Sequence, residues 1–187
     1  MASICVFAGA RCGHSPAALQ AATELGRLLG HHGHRLIYGA GGAGMMGALA
    51  WSAAAAGAPI TGVIPAFLHQ RERAQDAPVQ DLVVTADLAE RKQRMLELAD
   101  AFVALPGGYG TLDEILEVIS ARYLGLHDKP MILLDVDGIW AGLLALTRHL
   151  HQLGYAEPEP GALLHLAATS QQVLDLLHRL PEPLSTV

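Results

Sequence analysis

Short apolar runs rich in Ile, Val and Leu alternate along this chain with longer segments in which apolar residues recur at helical spacing. Buried parallel strands and the helices that cover them produce this alternation, so the pattern predicts an α/β fold. The predicted strands are residues 4–8, 35–38, 60–64, 81–85, 101–105, 131–134 and, more weakly, 163–167. The predicted helices are residues 16–31, 44–56, 88–99, 111–123, 139–153 and 170–180.

This order of elements predicts a single-domain, Rossmann-like parallel sheet of about seven strands with helices on both faces. The chain has 187 residues, of which 51% are hydrophobic and 16% charged, which is enough for one substantial core. We expect the domain to span 1–180 and 181–187 to form a frayed C-terminal tail. Residues 65–80 form the longest stretch without a clear period, and long loops in compact domains are often functional.

The composition excludes several functions. A formal charge of -6 and the lack of a Lys/Arg cluster argue against binding to a nucleic-acid polymer. No apolar run approaches the roughly 18 residues of a membrane span, and no basic leader precedes the first strand, so we expect a cytoplasmic protein. Cys5 and Cys12 do not suggest a disulfide framework, and the ten histidines lack the spacing of a metal site, so no metal is expected.

The junction at residues 101–114 is the strongest candidate for a binding site. An apolar strand runs through the glycine-rich turn PGGYG into an acidic helix start. A helix start offers free backbone N–H groups and a partial positive charge, so it favours a phosphate. Gly107, Gly108 and Gly110 can adopt positive φ and place no side chain between the backbone amides and the ligand.

Two further glycine-bearing loops are predicted to follow strands at the same edge of the sheet, one containing Gly9 and the other Gly41 and Gly42. The second loop, residues 39–44, fits G-x-G-x-x-G. It lies outside the leading βαβ unit, and the next strand does not end in an acidic residue, so NAD is not favoured. We therefore expect these loops to contact the phosphorylated ligand.

The acidic residues after the glycine turn allow two interpretations. Thr111 can cap the helix, with Glu114 reaching back as the partner in a capping box, and this requires no ligand. Alternatively, Glu114 and Glu117 share a helix face and bring two carboxylates to the crevice, as glycosidic chemistry requires. Phosphate loops combined with acids indicate a nucleotide whose sugar reacts, although the pattern alone leaves this one option among several.

A cationic pair lies early on the preceding helix. Arg91 and Lys92 stand near the positive end of that helix dipole, where Asp87 or Thr85 could provide the cap. Because cations are unfavourable there, the pattern suggests that an anion or a carboxylate compensates them.

The sequence PGGYGTLDE at 106–114, with Arg91-Lys92 upstream, resembles the PGGxGTxxE signature of the LONELY GUY family, the cytokinin riboside 5′-monophosphate phosphoribohydrolases. The resemblance covers nearly the whole chain. It implies hydrolysis of the N-glycosidic bond of a purine nucleoside 5′-monophosphate without metal or organic cofactor, by a homodimer. It assigns catalysis to Arg91 and Glu114. It assigns substrate contacts to Glu72, Lys92, Gly108, Tyr109, Gly110, Thr111 and Ser120.

The chain departs from the family pattern in three places, one of which is a pair of residues. Ala10 stands where a serine is common, Leu88-Ala89 where Met-His is common, and Asp113 where the family has Glu. Nothing in the sequence resembles a pyridoxal phosphate site. The physiological base and the role of Glu114 stay open, and the alternative function is a noncatalytic carrier of a nucleotide or phosphorylated cofactor.

Overall fold

A computed structural model of the chain describes residues 1–69, 71 and 74–179. It contains one sheet of seven strands in the order β4-β3-β2-β1-β5-β6-β7, and every neighbouring pair is parallel. The predicted fold class is therefore confirmed. The strands are β1 Ser3–Phe7, β2 Arg35–Tyr38, β3 Ile60–Pro65, β4 Asp81–Thr85, β5 Ala101–Ala104, β6 Met131–Leu134 and β7 His165–Ala167.

Helices cover both faces of the sheet and enclose two apolar cores. The first core lies against α1, α2 and α6 and includes Leu25 and Leu49. The second lies against α3, α4 and the segment entering α5, and includes Met95, Ile115 and Trp140. The helices are α1 Pro16–His31, α2 Gly44–Ala55, α3 Leu88–Leu98, α4 Tyr109–Tyr123, α5 Ala141–Gln152 and α6 Ser170–Arg179.

The start of α4 differs from the sequence prediction. The helix begins at Tyr109 with Gly108 as its N-cap, and the Leu112 N–H donates to the Gly108 carbonyl at 3.0 Å. Thr111 is therefore inside the first turn and its side chain is buried, so the predicted capping box between Thr111 and Glu114 is wrong. The turn before the helix uses glycine in place of a side-chain cap.

The aperiodic stretch 65–80 contains two short 3-10 helices, Ala66–Leu68 and Ala74–Asp76. The predicted tail 181–187 lies outside the described residues. Within the described part of the chain, no helix combines the length and apolar character needed to cross a membrane.

Strand order reverses between β1 and β5, the two central strands from which the sheet grows in opposite directions. Such a switch point leaves a crevice beyond the carboxyl ends of the strands. The loops after these two strands lie against each other there, because the Gly9 N–H donates to the Pro106 carbonyl at 3.2 Å.

Candidate active site

An open cleft of about 950 Å³ occupies the switch point. Its walls are the loop after β1, the glycine turn after β5, the loop after β6 and the starts of α1 and α2. The lining residues are 8–15, 106–111, Ala18, Met45, Met46, Arg71, Arg91, Glu114, Val136, Asp137 and Ile139.

The start of α4 presents unused backbone donors to this cleft. Gly108 provides no side-chain cap, and the first turn contains no acidic residue. A Cβ added to Gly108 or Gly110 would meet no atom within 4 Å, so the approach to these amides is open. None of Gly107, Gly108 and Gly110 adopts positive φ, which corrects one reason given for them above. The missing side chains, and not an unusual backbone, keep this helix start accessible.

Two more helices begin at the cleft in the same way. The side chain of Ser15 makes no cap hydrogen bond to α1, Ala43 has no capping group for α2, and neither first turn contains an acid. Each helix start carries roughly half a positive charge, so the three together create a positive field in the cleft. By contrast, Asp87 caps α3 by accepting the Glu90 N–H at 2.9 Å, which confirms one of the two predicted caps.

Arg91 of α3 and Glu114 of α4 form an ion pair inside the cleft. Nη2 of Arg91 lies 3.5 Å from Oε1 of Glu114, and each side chain is only 12% exposed. The guanidinium rests on Gly39, where an added Cβ would lie 2.1 Å from Nη2. Nε of Arg91 is buried and, within the described part of the chain, has no hydrogen-bond partner. Most buried donors in folded proteins have a partner, so this nitrogen is a candidate to bind a ligand or a water molecule in the cleft.

Lys92 points to the other side of the α3–α4 contact. Its Nζ lies 3.0 Å from Asp113 and 2.9 Å from Glu117. Both cations at the start of α3 are therefore compensated by carboxylates of α4, as their unfavourable position suggested. Glu117 does not line the cleft, so the expectation that Glu114 and Glu117 place two carboxylates in the crevice is wrong.

The structure brings most of the predicted site residues together. The cleft is lined by Arg91, Glu114, Gly9, Gly107, Gly108, Tyr109, Gly110 and Thr111. Four further predicted residues, Lys92, Ser120, Gly41 and Gly42, are described but lie outside its lining. Glu72 lies outside the described residues.

Asp137 also lines the cleft and adds a second carboxylate to Glu114, although no feature singled out in the sequence predicted it. Asp137 and Gly138 both have positive φ, 56° and 71°, in a tight turn closed by a hydrogen bond of 3.3 Å from the Ile139 N–H to the Val136 carbonyl. The Ser15 hydroxyl donates to the Asp137 carboxylate, which links the start of α1 to this turn. An Asp-Gly pair after an apolar strand is the signal that could have revealed the turn.

The remaining candidate groups have structural explanations or no shared geometry. Cys5 lies fully buried in β1, and burial raises the pKa of its thiol well above the ordinary value, which makes it inert. No group of three or more His, Cys, Asp or Glu side chains among the described residues is arranged to hold a metal ion.

Fold and cleft together define a Rossmann-like α/β protein with an anion-attracting crevice at its topological switch point. Comparison with known proteins agrees with this class. A family model described as "Possible lysine decarboxylase" matches residues 46–177. The Moco carrier protein of Chlamydomonas rheinhardtii superposes with a TM-score of 0.71 at 22% identity, over 95% of this chain and 96% of that one, which shows a shared fold.

Sequence relatives are more specific. A cytokinin riboside 5′-monophosphate phosphoribohydrolase of Oryza sativa subsp. japonica is 39% identical over 180 residues, 96% of this chain and 74% of the relative. An enzyme of the same name from Arabidopsis thaliana is 38% identical over 174 residues, 93% of this chain and 80% of the relative. The chain belongs to this family of phosphoribohydrolases, as the PGGYGTLDE motif indicated.

Proposed function

We propose that this protein hydrolyses the N-glycosidic bond of a purine nucleoside 5′-monophosphate, either AMP or an N6-substituted AMP. Water adds to C1′ of the ribose, the bond from C1′ to the base nitrogen breaks, and the base leaves with a proton to give ribose 5-phosphate. The ion pair between Arg91 and Glu114, next to the open start of α4, carries this proposal. The names of the curated relatives support it.

The glycine turn supplies the phosphate site in this proposal. Residues 108–111 line the cleft, and the backbone N–H groups at this helix start have no side-chain cap. They would hold the 5′-phosphate by hydrogen bonds and by the field of the helix. Gly9, which is hydrogen-bonded to the same turn, lies beside them.

Glu114 is the reacting carboxylate in this proposal. It lies three residues beyond Thr111, about one turn farther along α4, and lines the same cleft, so it can reach the ribose of a substrate whose phosphate is bound at the turn. Cleavage passes through an oxocarbenium-like state. A carboxylate beside the sugar either stabilises this state or directs water to it. Arg91 keeps that carboxylate oriented through the contact at 3.5 Å. Water is the only co-reactant, so the reaction needs no cofactor.

Lysine decarboxylation, which the description of the family model suggests, does not fit the lysines of this chain. The usual chemistry needs a lysine that forms a Schiff base with pyridoxal phosphate. The sequence has two lysines, and neither lines the cleft. Lys92 is held by two carboxylates of α4, and Lys129 donates to the Leu96 carbonyl at 2.7 Å.

We also propose a cytoplasmic homodimer that meets through the exposed face of α4. Leu116, Tyr123 and Leu124 lie on that face with Ser120 and are about half to two-thirds exposed. Ile115 and Val118 of the same helix are buried in the second core and are not available for this contact. Ser120 would then contact the substrate in the cleft of the partner subunit. Light scattering should give twice the chain mass.

The substrate contacts expected of Lys92, Gly41, Gly42 and Glu72 stay predictions.

The alternative function is a carrier that binds the nucleotide without cleaving it. One experiment distinguishes this carrier from the hydrolase. AMP should raise the melting temperature, and chromatography of the same sample should show free adenine and ribose 5-phosphate. Stabilisation without release of adenine would establish a carrier and reject the hydrolase.

A further inference from the structure

Arg11 lies in the loop after β1 at a position fixed by two close backbone approaches. A Cβ on Gly44 would lie 2.2 Å from the Ala10 carbonyl oxygen and 2.8 Å from the Arg11 nitrogen. A Cβ on Gly9 would lie 3.2 Å from the Arg11 carbonyl oxygen and 3.3 Å from Cα of Gly107. The Arg11 backbone is therefore held between the start of α2 and the glycine turn of the phosphate site.

The charges in the cleft leave a role for this arginine. A phosphate monoester carries about -1.5 to -2 charges at pH 7, and the three helix starts at the cleft offer it partial charges of roughly +0.5 each but no side-chain cation. Arg91 is paired with Glu114. Arg11 lines the cleft and, among the described residues, takes part in no ion pair. Arg71 also lines the cleft, but it follows β3, whereas the loop after β1 that carries Arg11 is hydrogen-bonded to the glycine turn through Gly9.

We propose that Arg11 binds the 5′-phosphate of the substrate and sets the preference for nucleotides over nucleosides. This inference rests on the proposed function and adds a specificity residue to the same site. A guanidinium forms two parallel hydrogen bonds to phosphate oxygens, which a hydroxyl cannot. Arg11 thereby supplies the phosphate contact that Ala10, lacking a hydroxyl, does not provide.

The experiment compares Arg11→Ala and Arg11→Lys with the matched control Arg148→Ala. Arg148 is an exposed arginine of α5 that does not line the cleft. Loss of hydrogen bonds to a charged group typically weakens binding by roughly 10- to 100-fold. We expect Arg11→Ala to raise KM for AMP by that factor with little change in kcat, and to weaken competition by ribose 5-phosphate equally. Competition by adenosine should be unchanged, Arg11→Lys should be intermediate, and Arg148→Ala should stay close to wild type.

Three outcomes would overturn the inference. Arg11→Ala could behave like Arg148→Ala, or it could weaken the binding of AMP and the binding of adenosine to the same extent. In the third outcome, calorimetry would detect no binding of ribose 5-phosphate to wild type at millimolar concentration. Failure of the proposed function gives a different result. Wild type would then leave AMP intact, while calorimetry with ribose 5-phosphate would still report whether a phosphate ester depends on Arg11.

Discussion

The position of the Arg91 guanidinium depends on Gly39, the residue directly after β2. An added Cβ there would lie 2.1 Å from Nη2 and 3.3 Å from Cζ of Arg91. The displaced atoms belong to the end of a long side chain, so the backbone need not move. A methyl group at this position should shift the guanidinium away from Glu114 while leaving the fold intact.

We predict that Gly39→Ala lowers kcat by about a hundredfold, because a displacement of about 1 Å in a catalytic group has a cost of that order. The melting temperature should change little. Steady-state kinetics and thermal unfolding test this, with Gly142→Ala as the control. Gly142 has no atom within 4 Å of an added Cβ and lies in a helix, where alanine is favoured. A kcat equal to that of wild type would show that Arg91 does not depend on Gly39.

The first turn of α4 is held by a contact between Gly107 and Thr111. A Cβ on Gly107 would lie 2.0 Å from Oγ1 and 2.6 Å from Cβ of Thr111, which is only 3% exposed. Threonine is short and branched, so it cannot move aside as a long side chain would. The next residue, Gly108, has open space around it.

We therefore predict that Gly107→Ala lowers the free energy of unfolding by about 1–3 kcal/mol, the usual cost of overpacking. Gly108→Ala should cost less than about 1 kcal/mol, since alanine is a poorer N-cap than glycine but its methyl group meets no atom. Urea unfolding of both variants measures the difference. Equal losses for the two variants would contradict the packing described for this turn.

The helices and strands could be predicted from the sequence because their apolar periodicity is strong. β2, β4, β6 and α1 have the bounds expected from the pattern, and most others differ by one or two residues. The start of α4, which differs by two residues, shows what the pattern missed. The order Thr-x-x-Glu suggested a capping box, and glycine has low helix propensity, so the pattern placed the start two residues too late.

The site residues that belong to a local sequence pattern could be predicted. Those that are brought together only by tertiary packing could not. Arg91 was expected to need a compensating carboxylate, and the structure supplies Glu114. Glu117 shares a helix face with Glu114, but spacing alone could not show that Lys92 draws it outside the cleft. The roles of Gly39 and Asp137 require knowledge of which loops meet.

The stability of the whole molecule should depend on pH through buried histidines. His34 is 8% exposed, and burial lowers its pKa below the ordinary value of 6.5. His178 of α6, the N-terminal amine and His32 of the same turn lower it further. Burial also lowers the pKa of His127 and His165. Each histidine binds a proton more readily in the unfolded chain, so acid favours unfolding.

We predict that the free energy of unfolding falls as the pH drops from 7.5 to 5.5. The free energy begins to fall as the pH approaches the pKa of histidine in the unfolded chain. It continues to fall until the pH lies below the lowered pKa values of these histidines in the folded protein. His34→Gln removes one of these groups, so its free energy should depend less steeply on pH, whatever its stability at pH 7.5. Urea unfolding across this range tests the slope. Parallel curves for wild type and variant would contradict the assignment to His34.

Release of adenine from AMP by Glu114→Gln and by Glu117→Gln tests the central claim most directly. Both substitutions remove one negative charge from α4 at nearly constant volume, but only Glu114 lines the cleft with Arg91. The account predicts that Glu114→Gln lowers kcat on the order of a hundredfold or more, because it removes a preorganised charge at the reacting sugar. Glu117→Gln should stay close to wild type, since an exposed ion pair contributes little. Equal rates of adenine release from wild type and Glu114→Gln would contradict the account.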